Sequence, residues 1–387
     1  MIQNIIDLIY SLIKKKESTI NNWFEESFKN FKPPFYSSID LRNSGYKIAP
    51  VDVNLFPAGY NNLNKKSQIL TSELVRKHLL KYKKALILPE NHTRNTKYIA
   101  NLVALKNIFE LAGIETYVHH EDVDLSFSAF KKDDNLLITE AGFTPDLIII
   151  NNDMTKGIPD ILENVTQDII PSPLLGWYNR NKSRYFEIYK KVVSEFCSEF
   201  ELDEWLISAY TTGCKNIDFA TNQGLEAVAA AIDDMIIKIK DKFEIYNIKE
   251  QPYVLIKADK GTYGMGIMTV TSAEDILRIN KKNRNKMNKI KEGVKVNSVV
   301  VQEGIPTFDR FHESVAEPLI YYIGNYPACY LFRYNSNKDK YSNLNSSGCG
   351  FIDISSIIEE KTLLVWNLVS KLAVLAAAKE SHLLNQF

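Results

Sequence analysis

A lysine followed by a glycine-rich loop is the stretch of this sequence whose residue types and spacing fit phosphate chemistry. Lys257 lies at the end of an apolar run that begins at Val254, and a second apolar run, 267–270, follows the loop. This order predicts a strand, a loop and a second strand. Glycines let the backbone approach a ligand closely and point its N–H groups inward, which suits phosphate. A lysine ammonium at the strand end can reach a phosphate as a compact point charge.

Other nucleotide-binding loops do not fit this stretch. The sequence contains no G-x-x-x-x-G-K-[ST] motif, which excludes a P-loop. The loop leads into a strand and not into a helix, which excludes the dinucleotide-binding fingerprint. Two interpretations remain open at this point: a hairpin loop that folds over phosphates, and an ordinary hairpin whose glycines only serve the turn.

A polar segment between residues 38 and 63 is the second candidate for ligand binding. Apolar residues alternate there with acids and amides, which an ordinary surface loop would not need. We therefore expect an extended segment that holds Asp52, Asn54, Asn61 and Asn62 towards a polar ligand. Asn and Asp side chains also cap turns, and that interpretation stays open.

Alternating strand and helix signals follow this segment. Strands are predicted at 85–89, 115–119, 135–139 and 145–151, and a helix at 96–111. The alternation predicts an open α/β layer, in which ligands lie at the carboxyl ends of the strands.

Polar side chains stand at two of these predicted strand ends. Arg94 follows the first strand, and its planar guanidinium can hold a carboxylate through two hydrogen bonds. Asn151 and Asn152 follow the most apolar strand. The alternative for Arg94 is a helix cap or a salt bridge at the start of the next helix.

Residues 171–250 are predicted to be helical. Arg180 and Lys182 precede a helix that extends to about residue 199, either to face an anion or as solvated charges. A strand at 298–303 is predicted to lead into a polar turn.

A hairpin is then expected from two runs, 313–323 and 326–333. The Asn343 and Asn345 side chains would both face one ligand if their segment is extended, and their oxygens suit Mg²⁺. A turn is the alternative.

Composition excludes several function classes. Lys and Arg number 47, as do Asp and Glu, so no charge excess predicts a nucleic-acid or membrane partner. The four cysteines are far apart, so we expect neither a zinc site nor disulfides, and a reducing cytoplasm fits. The apolar stretches 1–13 and 363–378 are expected to be packed helices. The basic run 280–295 has no interleaved aromatic residue for base stacking and is expected to be solvated.

Together these stretches resemble the ATP-grasp ligases and, more closely, the bacterial glutamate–cysteine ligases of ATP-grasp type. The resemblance is carried by residues 50–63, 88–95, 150–153, 176–177, 182–183, 257–266 and 343–345. It implies an α/β (α+β) fold of ATP-grasp type. A pre-grasp open α/β domain would span 1–171, a helical and lid domain carrying the glycine-rich loop 172–301, and a C-terminal grasp domain 302–387.

The resemblance also implies an activity. The glutamate side-chain carboxylate would attack ATP to give an acyl phosphate, which the cysteine amine would then displace, with Mg²⁺ as the metal. Lys257 would contact the α- and β-phosphates, and Arg333 would balance charge on the transferring phosphoryl group. The implied nucleotide contacts further include Lys260, Gly261, Thr262, Tyr263, Gly264, Met265 and Gly266 over the phosphates, and Gln302 and Glu303 near adenine and ribose. The implied amino-acid contacts are Asp52, Asn54, Asn61, Asn62, Arg94, Asn151, Asn152, Arg180 and Lys182.

One departure from the family pattern concerns the metal. ATP-grasp enzymes generally carry a Glu-x-Asn and a further acid for two Mg²⁺ ions, whereas Asn343-Leu344-Asn345 stands in that place here. Three other functions stay open: a ligase for another acid or amine, an ATP-binding regulator without turnover, and RNA contact through the basic run 280–295. The expected partners are glutamate, cysteine and ATP, without nucleic acid or membrane, and a homo-oligomer is left open.

Overall fold

The computed structural model describes residues 4–90, 95–118, 130–139, 142–261, 266–288, 293 and 295–385. The helices are α1 Ile5–Asn30, α2 Lys65–His78, α3 Thr96–Leu111, α4 Lys182–Phe200, α5 Leu225–Ile245, α6 Ala273–Leu277, α7 Lys281–Asn288 and α8 Glu360–Leu384. The strands are β1 Tyr36–Asn43, β2 Ile48–Asn54, β3 Lys84–Pro89, β4 Glu115–Tyr117, β5 Phe130–Asp133, β6 Leu136–Thr139, β7 Leu147–Asn151, β8 Asp168–Ile170, β9 Thr211–Lys215, β10 Val254–Ala258, β11 Ile267–Val270, β12 Ser298–Glu303, β13 Arg310–Phe311, β14 Ser314–Ile323, β15 Tyr326–Asn335 and β16 Gly350–Asp353.

The six-stranded sheet joins the beginning of the chain to its last third. Its strand order is β16-β15-β14-β1-β2, with β13 paired to β14, and every pairing is antiparallel. The predicted hairpin is confirmed as β14 and β15, and Gly324 in its turn has φ +60°, a left-handed conformation that favours glycine. Because β1 pairs with both β2 and β14, the polar segment after residue 38 and the hairpin belong to one sheet. The division into 1–171, 172–301 and 302–387 stays a prediction.

A second, lysine-bearing sheet has the order β11-β10-β12-β9. It confirms the strand–loop–strand prediction around Lys257, which lies opposite Ile267 on one side and Val300 on the other. The prediction of helix throughout 171–250 is wrong at 211–215, where β9 forms and pairs with β12. This strand contains a glycine and no apolar alternation, and its partner lies more than 80 positions later in the chain, so local sequence does not reveal it.

The predicted α/β layer is present as a parallel sheet of order β4-β3-β7-β8. β7 lies inside this sheet and all five of its residues are buried, as its continuous apolar run predicts. The helix predicted at 96–111 is α3. The strand predicted at 135–139 is β6, but it pairs with β5 and lies outside the parallel sheet.

The two apolar stretches near the ends of the sequence form packed helices, as expected. α1 buries Ile5, Ile9 and Ile13, and it packs on α8. α8 is long and apolar enough to cross a membrane, but 67% of its most apolar window is buried in the protein, where it packs on α1 and α4. α8 is therefore a helix of the hydrophobic core.

Candidate active site

A charged cleft lies between the lysine-bearing sheet and the six-stranded sheet. Its wall carries four cationic side chains, Arg42, Lys182, Lys257 and Arg333. It also carries three acidic side chains, Asp40, Asp52 and Glu317. Gly261, Asn343 and Asn345 complete its polar lining. The cations outnumber the acids, so the cleft favours an anionic ligand.

Lys257 is held towards this cleft by neutral groups. It is 7% exposed, and its Nζ donates to the Val51 carbonyl at 3.0 Å and to Gln302 Oε1 at 2.7 Å. Burial lowers the pKa of Lys257 to about 8, although the nearby Asp52 carboxylate raises it. Because its hydrogen-bond acceptors carry no charge, the ammonium keeps its attraction for a phosphate.

Gln302 and Glu303 are neighbours on β12 and face opposite sides of the sheet, as adjacent residues in a strand do. Gln302 positions Lys257. Glu303 instead lies in a buried network, in which it accepts hydrogen bonds from Lys47 Nζ at 2.6 Å, Trp205 Nε1 at 2.9 Å and the Tyr210 N–H at 3.0 Å. Neither side chain is among the residues that line the cleft, and the prediction that both residues contact the nucleotide stays a prediction.

Lys182 and Asp52 form an ion pair at the cleft wall. Lys182 is the first residue of α4, and its Nζ donates to Asp52 Oδ1 at 2.6 Å. Burial alone would raise the pKa of Asp52, but the charges of Lys182 and Lys257 hold it below its ordinary value. Lys182 is thus a cleft residue and not the solvated charge of the alternative interpretation.

Arg333 lies where the cleft meets a second cavity. Its Nη1 donates to Asp40 Oδ2 at 2.8 Å and to Glu317 Oε1 at 2.6 Å. The other Glu317 oxygen pairs with Arg42 Nε at 2.5 Å. The Arg333 Nε is buried and has no hydrogen-bond partner among the described residues. Arg333 therefore keeps donor capacity for a ligand.

The adjoining cavity has a volume of about 330 Å³. It shares Asp40, Asp52, Arg333 and Asn345 with the charged cleft. It lies beside the carboxyl ends of β3 and β7, where an α/β sheet is expected to bind ligands. Its polar lining further includes Asn54, Asn61, Asn62, Glu90, Asn95, Lys97, Asn101, Asn151 and Asp153.

The predicted amide residues line this cavity and also serve local turns. Asn54 Oδ1 accepts the Phe56 N–H at 3.0 Å, and Asn62 Nδ2 donates to the Gly59 carbonyl at 3.0 Å. The turn interpretation is confirmed for these two side chains. The extended conformation predicted for the segment is present in β2 but wrong at Tyr60–Asn62, which is a short 3-10 helix. Ligand binding by the segment stays a prediction. Gly59 itself has φ +108°, and a Cβ there would lie 2.8 Å from the Tyr321 hydroxyl, so a side chain would clash.

Some predicted amino-acid contacts lie elsewhere. Arg180 is 2% exposed, and its Nε and Nη2 donate to Glu380 Oε2 at 2.9 and 2.8 Å. It lines neither the cleft nor the cavity. The Asn152 side chain likewise connects two backbone segments and does not reach the cavity wall. Asn151 does line the cavity, but its side chain is already hydrogen-bonded. Its Oδ1 accepts from Asn101 Nδ2, and its Nδ2 donates to the Pro57 carbonyl.

Some predicted site residues lie outside the described part of the chain. These are Arg94, Thr262, Tyr263, Gly264 and Met265. Gly266 is described, and its carbonyl accepts the Ala258 N–H at 3.1 Å, which closes the base of the loop.

The Asn343–Asn345 segment is a turn, which is the alternative that the sequence left open, and it is not extended. Asn343 Oδ1 accepts the Asn345 N–H at 3.1 Å, and Asn343 Nδ2 donates to the Asn345 carbonyl at 3.3 Å. Local bonding of this kind is what Asn side chains offer a short polar loop. Within the described ranges, no group of three or more His, Cys, Asp or Glu residues could hold a metal ion. The residues seen here do not build a protein cage for Mg²⁺.

Asp259 is a contributor that sequence reasoning missed. Its carboxylate accepts the Ser183 N–H at 2.8 Å, the Ser183 hydroxyl at 2.9 Å and Asn181 Nδ2 at 3.1 Å. It thereby caps the N-terminus of α4 from the base of the glycine-rich loop. Lys260 adds a second tie, because its Nζ donates to the Tyr178 carbonyl at 2.6 Å. The cap joins residues 76 positions apart, which no local motif could reveal.

Comparison with known proteins places this chain in a family. A family model described as glutamate–cysteine ligase, GshA, matches residues 11–381. The structure of a "putative gamma-glutamylcysteine synthetase" from Methylobacillus flagellatus KT is 35% identical, with a TM-score of 0.85, and the match covers 96% of this chain and 95% of that one.

Two further solved structures are more distant. D-alanyl-alanine synthetase A from Vibrio cholerae is 11% identical with a TM-score of 0.36, over 75% of this chain and 79% of that one. The VanG D-Ala:D-Ser ligase from Enterococcus faecalis is 12% identical with a TM-score of 0.42, over 77% and 83%. No match was found among curated protein sequences.

The family match spans nearly the whole chain, and the related structure has the same mixed α/β fold over nearly its full length. The predicted fold class and the predicted resemblance are confirmed. The chain belongs to the glutamate–cysteine ligase family.

Proposed function

We propose that the charged cleft binds ATP and that the adjoining cavity binds the two amino acids, so that glutamate and cysteine are joined where the two spaces meet. The observation that carries this proposal is that the cleft and the cavity share Arg333, Asp40 and Asp52 beside the phosphate-side Lys257. A reaction that transfers a phosphoryl group to a carboxylate needs cations on one side and an amino-acid pocket on the other. The geometry supports both.

Lys257 and Arg333 stabilise negative charge during phosphoryl transfer. The γ-carboxylate of glutamate attacks the terminal phosphate of ATP, which gives an acyl phosphate and ADP. A carboxylate is a poor acylating agent, and phosphorylation gives it a leaving group. The protein positions the reactants and supplies compensating charge, which is the main protein contribution in phosphoryl transfer.

Mg²⁺ enters this proposal with the nucleotide. Mg²⁺ in nucleotide sites keeps several waters and is held largely by phosphate oxygens, so it does not require a cage built by the protein. Asn345 offers a hard amide oxygen at the wall shared by the cleft and the cavity, whereas Asn343 Oδ1 already accepts a backbone N–H. Bound Mg²⁺ would offset the charge of the triphosphate.

A cytoplasmic location completes the proposal. The four cysteines are all free, and three of them are buried. Free thiols persist in a reducing compartment.

An ADP-release assay tests the function. Purified protein with ATP, Mg²⁺ and glutamate should release ADP at a rate that depends on cysteine and should form the dipeptide γ-glutamylcysteine. Turnover that another amine supports equally well would favour a ligase of different specificity. ATP binding without ADP release under any amino acid would favour a regulatory protein.

A further inference from the structure

Asp40 occupies the boundary between the charged cleft and the adjoining cavity. It lies on β1, directly opposite Asp52 on β2, and both carboxylates line the two spaces. The carbonyl carbon of an acyl phosphate must lie at this boundary, because its phosphate belongs to the nucleotide side and its glutamyl part to the amino-acid side. The attacking amine must reach the same point.

One oxygen of Asp40 is available there. Oδ2 accepts a hydrogen bond from Arg333 Nη1 at 2.8 Å, which fixes the orientation of the carboxylate. Oδ1 has no hydrogen-bond partner within the described chain. A carboxylate that is held by one oxygen and free at the other is arranged to accept a proton.

The surroundings of the two facing acids differ. The pKa of Asp40 is raised above its ordinary value. Burial is the main cause, the charges of Asp52 and Glu317 add to it, and together they outweigh the lowering by Arg333. Asp52 lies between two lysines, Lys182 and Lys257, and its pKa is held low. Where two carboxyl groups at one site are shifted in opposite directions, the one with the higher pKa is the better proton acceptor and the other stays ionised.

We propose that Asp40 is the general base that accepts the proton from the attacking amine of cysteine. This inference rests on the proposed function. The nitrogen lone pair of the neutral amine forms the C–N bond to the acyl carbon. The C–O bond to phosphate breaks, and its electron pair leaves with inorganic phosphate. The proton released from nitrogen passes to Asp40 Oδ1, while Arg333 holds Oδ2.

A change of nucleophile tests this role. Hydroxylamine is already a neutral and strong nucleophile at neutral pH, so it captures the acyl phosphate as a hydroxamate without needing a base. Asp40→Asn keeps the shape of the side chain and removes the base. It should lower kcat for dipeptide formation by about 10²- to 10⁴-fold, the usual contribution of general-base catalysis, and leave hydroxamate formation from ATP, glutamate and hydroxylamine nearly unchanged.

The pH profile gives a second readout. A base must be ionised to act, so kcat with cysteine should fall as pH drops through the pKa of Asp40, and this acidic limb should be absent in Asp40→Asn. Asp40→Glu keeps a carboxylate and should retain the limb at a reduced rate. Asp309→Asn is the matched control, because burial raises the pKa of Asp309 to about 7 and Asp309 lines neither the cleft nor the cavity. It should retain both products and the limb.

The outcomes separate the two proposals. If Asp40→Asn lowers both products equally, Asp40 acts through Arg333 and the general-base role is overturned while the ligase function stands. An acidic limb that disappears in Asp309→Asn or in Asp40→Glu also overturns it. If the wild-type protein forms neither the dipeptide nor the hydroxamate from ATP and glutamate, the proposed function itself fails.

Discussion

Two kinds of buried charge occur in this molecule. Arg180–Glu380 and Lys47–Glu303 are sealed pairs, which line neither the cleft nor the cavity. Lys182–Asp52 and Arg333–Glu317 border the cleft instead. Their cationic side chains are nevertheless also buried, with 7% of Lys182 and 9% of Arg333 exposed. Burial and pairing therefore do not mark a functional charge. The distinguishing feature is whether a ligand can reach it.

The two kinds also differ in energetics. A buried charge that loses its only partner is left desolvated without compensation, which is costly. A charge at a cavity wall can exchange protein partners for a ligand. Sealed pairs should therefore determine stability, and cleft pairs should determine activity.

The largest expected effect comes from breaking a sealed pair. Arg180→Met should lower the free energy of unfolding by about 3–5 kcal/mol, because it leaves Glu380 as an uncompensated buried charge. Urea unfolding measures this change. The double variant Arg180→Met with Glu380→Met should recover most of the loss. A variant that is stable but has a raised KM for glutamate would instead show that Arg180 binds substrate, as the sequence suggests.

Lys257→Met should act on catalysis and not on stability. It removes a charge-assisted hydrogen bond to phosphate, worth roughly 1.5–3 kcal/mol, so kcat/KM for ATP should fall about 10- to 100-fold. Steady-state kinetics measures this effect. Lys47→Met is the matched control, a similarly buried lysine whose pKa burial also lowers to about 8. It should reduce stability and leave the KM for ATP unchanged, and identical behaviour of the two variants would remove the distinction.

Asp259→Ala should have a smaller effect, divided between stability and nucleotide binding. Loss of a helix cap costs about 0.5–2 kcal/mol. The KM for ATP should rise because the base of the glycine-rich loop loses its tie to α4, while the KM for glutamate should stay constant. Asp203→Ala provides the control, because it removes another capping carboxylate, which accepts the Trp205 N–H and lines neither the cleft nor the cavity. A rise in both KM values in Asp259→Ala would argue against a specific role at the loop.

The smallest effect is a dependence of ATP affinity on pH. The free-enzyme pKa of Lys257 is lowered to about 8, so the ammonium is lost as pH rises through that value. ATP affinity should decrease roughly fourfold between pH 7 and 8.5, as expected for a single group with this pKa. Calorimetric titration measures it, and Lys257→Met should show no such decrease. An affinity that is constant over this range would mean that the charge of Lys257 is not used.

The sequence predicts much of the fold, because local signals are strong in several elements. The apolar run of β7, the period of α3 and the hairpin turn at Gly324 each follow from neighbouring residues. The pairing of β9 with β12 and the placement of β1 between β2 and β14 do not, because they depend on partners far along the chain.

The site residues also divide into those that neighbouring residues reveal and those that depend on distant partners. Lys257 is recognisable from its position at a strand end before glycines. The sealed state of Arg180 depends on Glu380, 200 positions later, and the capping by Asp259 depends on Ser183. Strand alternation alone could have placed the side chains of Gln302 and Glu303 on opposite faces of β12.

β1 is hydrogen-bonded along both edges, and this has a consequence for how the enzyme tolerates change. Asp40 and Arg333 are carried by strands of one continuous sheet, whereas Lys257 is carried by another. A substitution that loosens β1, even at a position that touches no substrate, should impair the activation of glutamate and the entry of cysteine together. A comparable substitution in β11 should weaken the use of nucleotide alone.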